Sequence, residues 1–441
     1  MNESVALEQN PDIEKLISKA RSNYIANNPN SKELYEAAKE VMPGANTRTV
    51  LHFEPFPVTI ARGEGANIFD VDGHEYNDFL SEYSAGLYGH NNPVIAKAIH
   101  RALDEGVTLG GPSMMEAKLA RLMCERFPAV ERMRFCNSGT ESNILALSAA
   151  RAFSERSDII VVDGSYHGSV LTFVGNSPLN LPFPIHRISY NDTDAAVDLI
   201  HKLGTSLAAV LIEPMIGAGG GIPATDEFLQ GLRSATTDTG ALLIFDEVMT
   251  SRLTAQGLHG HYGIKPDLVT FGKYLGGGLT FGAFGGRADI LDCFDPGRAN
   301  AWPHAGTFNN NVLTMTAGYT GLAEVFTAPV ADDFFTRGNQ FRAAMIDALS
   351  PLGLPIQITG LGSMMAFHFC DKPPTKPVTQ RSSVAQLYEL IHLDMMARGQ
   401  FYARRGMFNL SLPVVDAQLD AFTNSFCDIL KNRAQAICQY A

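Results

Sequence analysis

Leu268-Val269-Thr270-Phe271-Gly272-Lys273-Tyr274-Leu275-Gly276-Gly277-Gly278 is the stretch that decides how this chain folds. An apolar run ends on a single lysine, and a cluster of glycines follows at once. The run has the length of a strand buried on both faces, and the glycines allow backbone to approach a bound group closely. A lone lysine is ordinarily a solvated surface residue. Delivered by the end of an apolar strand, Lys273 is instead a candidate nucleophile and proton carrier, because burial lowers the pKa of its amine.

Runs of the same kind recur upstream: Met133-Arg134-Phe135-Cys136, Ile159-Ile160-Val161-Val162, Ala209-Val210-Leu211-Ile212 and Leu242-Leu243-Ile244-Phe245. Helical patterns separate them, so a mostly parallel sheet covered on both faces is expected between about residues 93 and 320. Ligands of such sheets bind beyond the carboxyl ends of the strands. Before this region, residues 11–41 show helical spacing, Met42-Pro43-Gly44-Ala45 breaks it, and short strands and turns follow. After it, helical patterns cover 331–350, 382–398 and 415–435, with short strands near 363–369 and 407–412, which reads as a second, smaller domain.

The chain has 441 residues, 45% of them hydrophobic, enough for a large core divided into two or three units. A formal net charge of -12 offers no basic face, so nucleic acid and anionic membrane surfaces are poor partners and small molecules better ones. No apolar stretch reaches the length of a membrane span. Met1-Asn2-Glu3-Ser4 lacks the marks of a signal or transit peptide, and six scattered cysteines without a C-x-x-C pair suit reduced thiols, so a cytoplasmic location is expected.

The polar motifs fall at the expected strand ends. Asp246-Glu247 closes the run at Phe245 and puts a carboxylate on the same edge as Lys273; taken alone, Asp246 also suits a helix N-cap. Asn137-Ser138-Gly139-Thr140-Glu141 opens an apolar helix, where free amides and hydroxyls suit a phosphate, although Ser-Gly-Thr-Glu equally reads as a capping box. Tyr166-His167-Gly168 offers an aromatic ring for stacking, or a buried structural pair. His304 to Asn311 is too polar for core and reads as a site or interface loop.

In this order, together with Met42-Pro43-Gly44-Ala45-Asn46 and Gly306-Thr307-Phe308, these motifs resemble class III aminotransferases of pyridoxal-phosphate (PLP) fold type I over nearly the whole chain. The nearest branch is the one containing glutamate-1-semialdehyde aminomutase and the β-amino acid (β-phenylalanine-type) transaminases. The resemblance implies an α/β fold: a large domain with a mostly parallel seven-stranded sheet plus a smaller α+β domain. It divides the chain into an N-terminal segment (1–75) joining the small domain, a large PLP-binding domain (76–320) and a C-terminal small domain (321–441). It further implies that Lys273 holds PLP as a Schiff base, Ser138, Gly139 and Thr140 bind its phosphate, Tyr166 and Val248 cover the two ring faces, Asp246 pairs with the ring nitrogen, and Glu213 lies near the ring hydroxyl. Thr307 is implied to reach the phosphate of the neighbouring subunit's cofactor, which makes the active unit a homodimer with sites at the interface.

Within that branch, Asn46-Thr47-Arg48-Thr49-Val50 and Arg405-Gly406 resemble the β-amino acid transaminases, which hold carboxylates with two arginines. Arg48 and Arg405 are therefore substrate-binding candidates, suited by a fork that binds carboxylates bidentately; each could instead form a structural ion pair, and Arg404 could take the place of Arg405. Ala403-Arg404-Arg405-Gly406-Met407 stands where the aminomutases usually carry Pro-Ser-Gln-Phe-Glu, a departure that argues against intramolecular amino transfer. The expected reaction moves an amino group from a β-amino acid to a keto acid such as 2-oxoglutarate or pyruvate. The alternatives are the 2,1-aminomutase activity and a non-catalytic PLP-fold binding protein.

Overall fold

A computed structural model describes residues 12–441; the N-terminal tetrapeptide read above lies outside the described residues. The seven-stranded sheet comprises β1 (Arg132–Cys136), β2 (Asp158–Val162), β3 (Ile185–Ile188), β4 (Leu207–Ile212), β5 (Leu242–Asp246), β6 (Leu268–Gly272) and β7 (Gly282–Gly286). Their spatial order is β1-β7-β6-β5-β4-β2-β3, and only β7 runs antiparallel to its neighbours. Strands β4, β5 and β6 are buried at every residue, as continuous apolar runs with helices on both faces must be.

Two of these strands were not among the sequence readings. β3, Ile-His-Arg-Ile, is an edge strand with one fully buried residue, so it lacks a continuous apolar run. β7, Gly-Ala-Phe-Gly-Gly, is fully buried but carries little side chain to mark it. Its glycines are needed for packing: a Cβ on Gly282 would stand 2.2 Å from the carbonyl oxygen of Ser138.

The expected 11–41 helix is two helices, Ile13–Asn27 and Pro29–Lys39, because Asn28 leaves the helical region ahead of Pro29. Strands Ile60–Glu64, Asn67–Asp70 and Glu75–Asp78 form a second sheet completed by Gln400–Phe401 from the far end of the chain. Helix Ile13–Asn27 likewise meets helix Ser382–Met396, where Arg21 Nε donates to Glu389 at 2.5 Å. A third sheet joins Ile356–Leu361, Met364–Phe369 and Met407–Asn409. All six cysteines are free. Among the described residues no helix is long and apolar enough to cross a membrane, and no cluster of side chains could hold a metal ion.

Candidate active site

The parallel strands all end at one edge of the sheet, and the chemistry-bearing residues follow from those ends. Asp246 is the last residue of β5 and Lys273 the first after β6, and a Cβ on Gly272 would already touch the backbone of Gly139 at 3.4 Å. Lys273 leaves its strand at φ +54°, a left-handed conformation that costs a side-chain-bearing residue about 1–2 kcal/mol. Its Nζ forms no hydrogen bond among the described residues. Burial pulls its pKa below 10.5, with Asp246 opposing and Arg48 adding to the shift.

Asp246 is 4% exposed and gripped from three elements. Oδ2 accepts from Asn143 Nδ2 and pairs with His167 Nδ1, each at 2.8 Å, and Oδ1 accepts from the Val248 amide at 3.0 Å. Asn143 is itself fixed by Thr270 Oγ1 at 2.7 Å and by its own bond to the carbonyl of His167 at 3.0 Å. A carboxylate has about four acceptor sites, so Asp246 keeps capacity for one more donor. It caps no helix, which sets aside the alternative noted above. Asn143 went unread; the signal was a carboxamide in the apolar helix opened by Ser138.

Ser138 is the N-cap of the helix Gly139–Ser154 and accepts from the Glu141 amide at 3.2 Å, while Glu141 Oε2 reaches back to the Asn137 amide at 2.9 Å. Ser138 thus forms its half of the expected capping box, while Glu141 reaches the residue before the cap instead of closing the box, which leaves the Ser138 hydroxyl proton and the amides of Gly139 and Thr140 free for an anion. A Cβ on Gly139 would lie 2.8 Å from the Val248 methyls, and one on Gly168, at φ +126°, would lie 2.3 Å from Thr140 Oγ1. The loops meet as closely as backbone allows, forming a floor that larger residues would fill.

Tyr166 holds its backbone amide on Glu213 Oε2 at 3.2 Å but leaves its side chain 44% exposed. Glu213 also accepts from the Gly217 amide at 3.0 Å. Burial, with Asp246 adding and His167 opposing, pushes its carboxyl pKa from 4.5 up to about 7. A carboxyl whose folded pKa is raised contributes stability that is full below pH 4.5 and lost as pH rises through 7. Glu213→Gln is expected to flatten the fall in melting temperature of the cofactor-free protein across that window, in a thermal-melt series; an unchanged slope would assign the proton elsewhere.

Arg48 and Arg405 come together across one ring: their guanidinium carbons lie 5.7 and 5.3 Å from the centroid of Tyr83. Arg48 pairs with Glu82. Arg405 forms no ion pair with a carboxylate among the described residues; its Nη2 reaches only Met407 Sδ at 3.7 Å, and its Nε is buried without a partner. Burial lowers its pKa from 12.5, opposed by Tyr83 and then Glu213, yet a guanidinium remains charged. Arg404 faces elsewhere, its charge acting on His392. Thr307 is not gathered with the others. It is exposed and forms no hydrogen bond among the described residues, while Asn309 two residues on accepts from Asn137 Nδ2 at 2.9 Å.

These groups fit PLP. An amine without a partner, a carboxylate with one open acceptor site, a glycine floor at a helix N-terminus and a half-exposed aromatic ring lie together at the carboxyl edge of the sheet.

Comparison with known proteins agrees. The family model for aminotransferase class-III matches residues 51–430. The chain is 46% identical to a beta-phenylalanine transaminase of Variovorax paradoxus over 93% of its own length and 94% of the relative's. It is 37% identical to a glutamate-1-semialdehyde 2,1-aminomutase of Geobacillus kaustophilus over 84% and 90%. The crystal structure of a beta-phenylalanine aminotransferase from Variovorax paradoxus superposes with a TM-score of 0.94 at 44% identity, covering 96% of this chain and 98% of that one. With strand order, site geometry and sequence in agreement, this chain belongs to the class III aminotransferases and is a PLP-dependent enzyme of that family.

Proposed function

We propose that the enzyme takes its amino group from β-amino acids, aromatic ones included, and passes it to a keto acid such as 2-oxoglutarate or pyruvate. The observation that carries this reading is Arg405: a partly buried cation with an orphaned, buried Nε and no carboxylate partner among the described residues, sharing the Tyr83 ring with Arg48 and close enough to shift the pKa of Lys273. An uncompensated buried charge is costly and is retained where a ligand completes it. In a β-amino acid the amine sits one carbon further from the carboxylate than in an α-amino acid, so donor and α-keto acid carboxylates cannot share one position. Two guanidinium groups from different segments resolve that geometry.

PLP, when bound, draws the electron pair of the reacting carbon into its pyridinium ring. Asp246, oriented by Asn143, His167 and the Val248 amide, is the group that would pair with the ring nitrogen. Ser138, Gly139 and Thr140 would bind the phosphate at the helix N-terminus, Tyr166 and Val248 would cover the ring faces, and Glu213 would serve the ring hydroxyl. Lys273 Nζ carries the proton to and from the substrate carbon, a task its lowered pKa suits.

The same reading makes the active unit a homodimer in which the exposed Thr307 serves the neighbouring subunit's site. It groups residues 1–75 with the small domain at 321–441, as the bond from Arg21 to Glu389 supports, and leaves 76–320 as the PLP-binding domain, although Asn77 and Asp78 at the start of that range pair with Gln400 and Phe401 of the small domain. Free thiols throughout accord with a cytoplasmic enzyme.

The test is an absorbance spectrum of the purified holoenzyme, before and after 3-amino-3-phenylpropanoate and then 2-oxoglutarate. The cofactor band is expected to bleach with the amine and return with the keto acid. A band indifferent to the β-amino acid would overturn the donor assignment, and turnover without any keto acid would instead indicate intramolecular transfer.

A further inference from the structure

Arg252 is fully buried, yet it pairs with no carboxylate among the described residues. Burial lowers its pKa from 12.5 to about 10, with Tyr274 and Tyr88 opposing the shift, so it stays charged at neutral pH. A buried cation without a counter-charge is costly. This one spends its fork on two main-chain carbonyls. Nη1 donates to Ser84 at 2.7 Å and Nη2 to Leu410, while Nε is left without a partner.

Both carbonyls belong to segments that shape the donor side of the site. Ser84 ends a turn in which Ser81, Glu82, Tyr83 and Ser84 have φ of +48°, +49°, +52° and +76°, four successive left-handed residues without a glycine among them. Such a run is strained and persists only where its surroundings over-determine it. Asp78 Oδ1 holds its start, accepting from the amides of Leu80 and Ser81, each at 2.9 Å, and Arg252 holds its end. The turn presents the Tyr83 ring to Arg48 and Arg405. Leu410 follows the strand Met407–Asn409, which begins just after Arg405. Arg252 itself closes the turn Thr250–Arg252 beyond Asp246 and Val248, and Tyr274 Oη, next to Lys273 in the chain, donates to the Ser251 carbonyl at 3.0 Å. One guanidinium therefore ties the cofactor edge of the sheet to the Tyr83 turn and to the strand behind Arg405.

We infer that Arg252 is a positioning residue for donor binding: its two-pronged hold on the Ser84 and Leu410 carbonyls sets where Tyr83 and Arg405 stand relative to Lys273. This rests on the reading of Arg405 as the group that binds the donor carboxylate. The planar fork lets one side chain reach two carbonyls, which an ammonium does not match. Without it the turn is free to leave the left-handed region and carry Tyr83 away from the arginines. Lys273 and Asp246 follow from their own strands and keep their places. The defect therefore falls on donors that carry a carboxylate, and on their binding rather than on the amino transfer itself.

The experiment compares the parent holoenzyme with Arg252→Met and with Arg252→Lys, which keeps the charge and carries the test if Arg252→Met does not fold. Calorimetric titration uses 3-phenylpropanoate, which has the ring and the carboxylate but no amine to exchange. Its affinity is expected to fall about tenfold in Arg252→Met, and by less in Arg252→Lys, because a small displacement of the binding groups is enough for such a loss. KM for 3-amino-3-phenylpropanoate is expected to rise by a similar factor while kcat, and kcat/KM for 1-phenylethylamine, stay within about threefold. Added to Arg405→Leu, Arg252→Met is expected to weaken 3-phenylpropanoate no further. The inference is overturned if 3-phenylpropanoate binds the Arg252 variants as it binds the parent, if both amines lose kcat alike, if the effect survives without Arg405, or if thermal melts show that neither variant folds, which would make Arg252 structural. Arg405→Leu alone separates it from the reading beneath it. If that variant weakens 3-phenylpropanoate and the Arg252 variants do not, Arg252 alone is misassigned; if Arg405→Leu binds it unchanged, the carboxylate site is misassigned and the Arg252 inference falls with it.

Discussion

Lys273→Ala is expected to lower kcat by about 10³-fold or more, close to 4 kcal/mol of barrier, without destabilising the fold. Two properties of the residue lead there. Its Nζ is an amine without a hydrogen-bond partner among the described residues, coupled to Asp246 and held by burial below its ordinary pKa, which suits it to move the proton. The ammonium also gains nothing in hydrogen bonds from its site, so its removal relieves a desolvated charge rather than breaking a contact. A stopped-flow amine half-reaction and a thermal melt of the cofactor-free protein check both halves. Partial recovery of rate by added methylamine, with an unchanged or higher melting temperature, would mark the lysine as the missing base. A variant that keeps kcat within tenfold, or that melts well below the parent, would mean that Lys273 is structural and that the base lies elsewhere.

Residues at the strand ends were readable because sequence order and spatial position coincide there. Lys273 and Asp246 each directly follow an apolar run, so sheet topology alone brings them to one edge. Arg48 and Arg405 lie more than 350 residues apart, and only the resemblance to known enzymes paired them; their common contact with Tyr83 is a fact of tertiary structure. β7 escaped because glycine marks turns as readily as close packing, and nothing local says which use applies. The left-handed turn at Ser81–Ser84 was invisible for a stronger reason. Ser-Glu-Tyr-Ser has no preference for that backbone, which is imposed by Asp78 and by Arg252, a residue 168 positions away from the carbonyl it holds. Asn143 illustrates a third limit: its partners Thr270, His167 and Asp246 come from three different connections, so its role exists only once the sheet has formed.

Arg405→Leu should discriminate between substrates rather than act on all of them. For 3-amino-3-phenylpropanoate, kcat/KM is expected to fall by about 10²–10³-fold, because removing one member of a buried charge pair costs about 2–5 kcal/mol. For 1-phenylethylamine, which has the amine and the ring but no carboxylate, the fall is expected to stay within about tenfold, since Arg405 then has nothing to bind and its loss changes only packing. The free enzyme, meanwhile, loses a partly buried guanidinium with an orphaned Nε and no carboxylate partner among the described residues, so its melting temperature is expected to rise. Arg405→Lys falls between, keeping the charge but not the bidentate fork. Steady-state kinetics with the two amines measures the difference directly. Equal losses on both would place Arg405 in the architecture of the site instead of in carboxylate recognition. A large loss confined to the acid, joined to a stabilised protein, is what a residue held at a cost to the fold for the sake of its ligand must show.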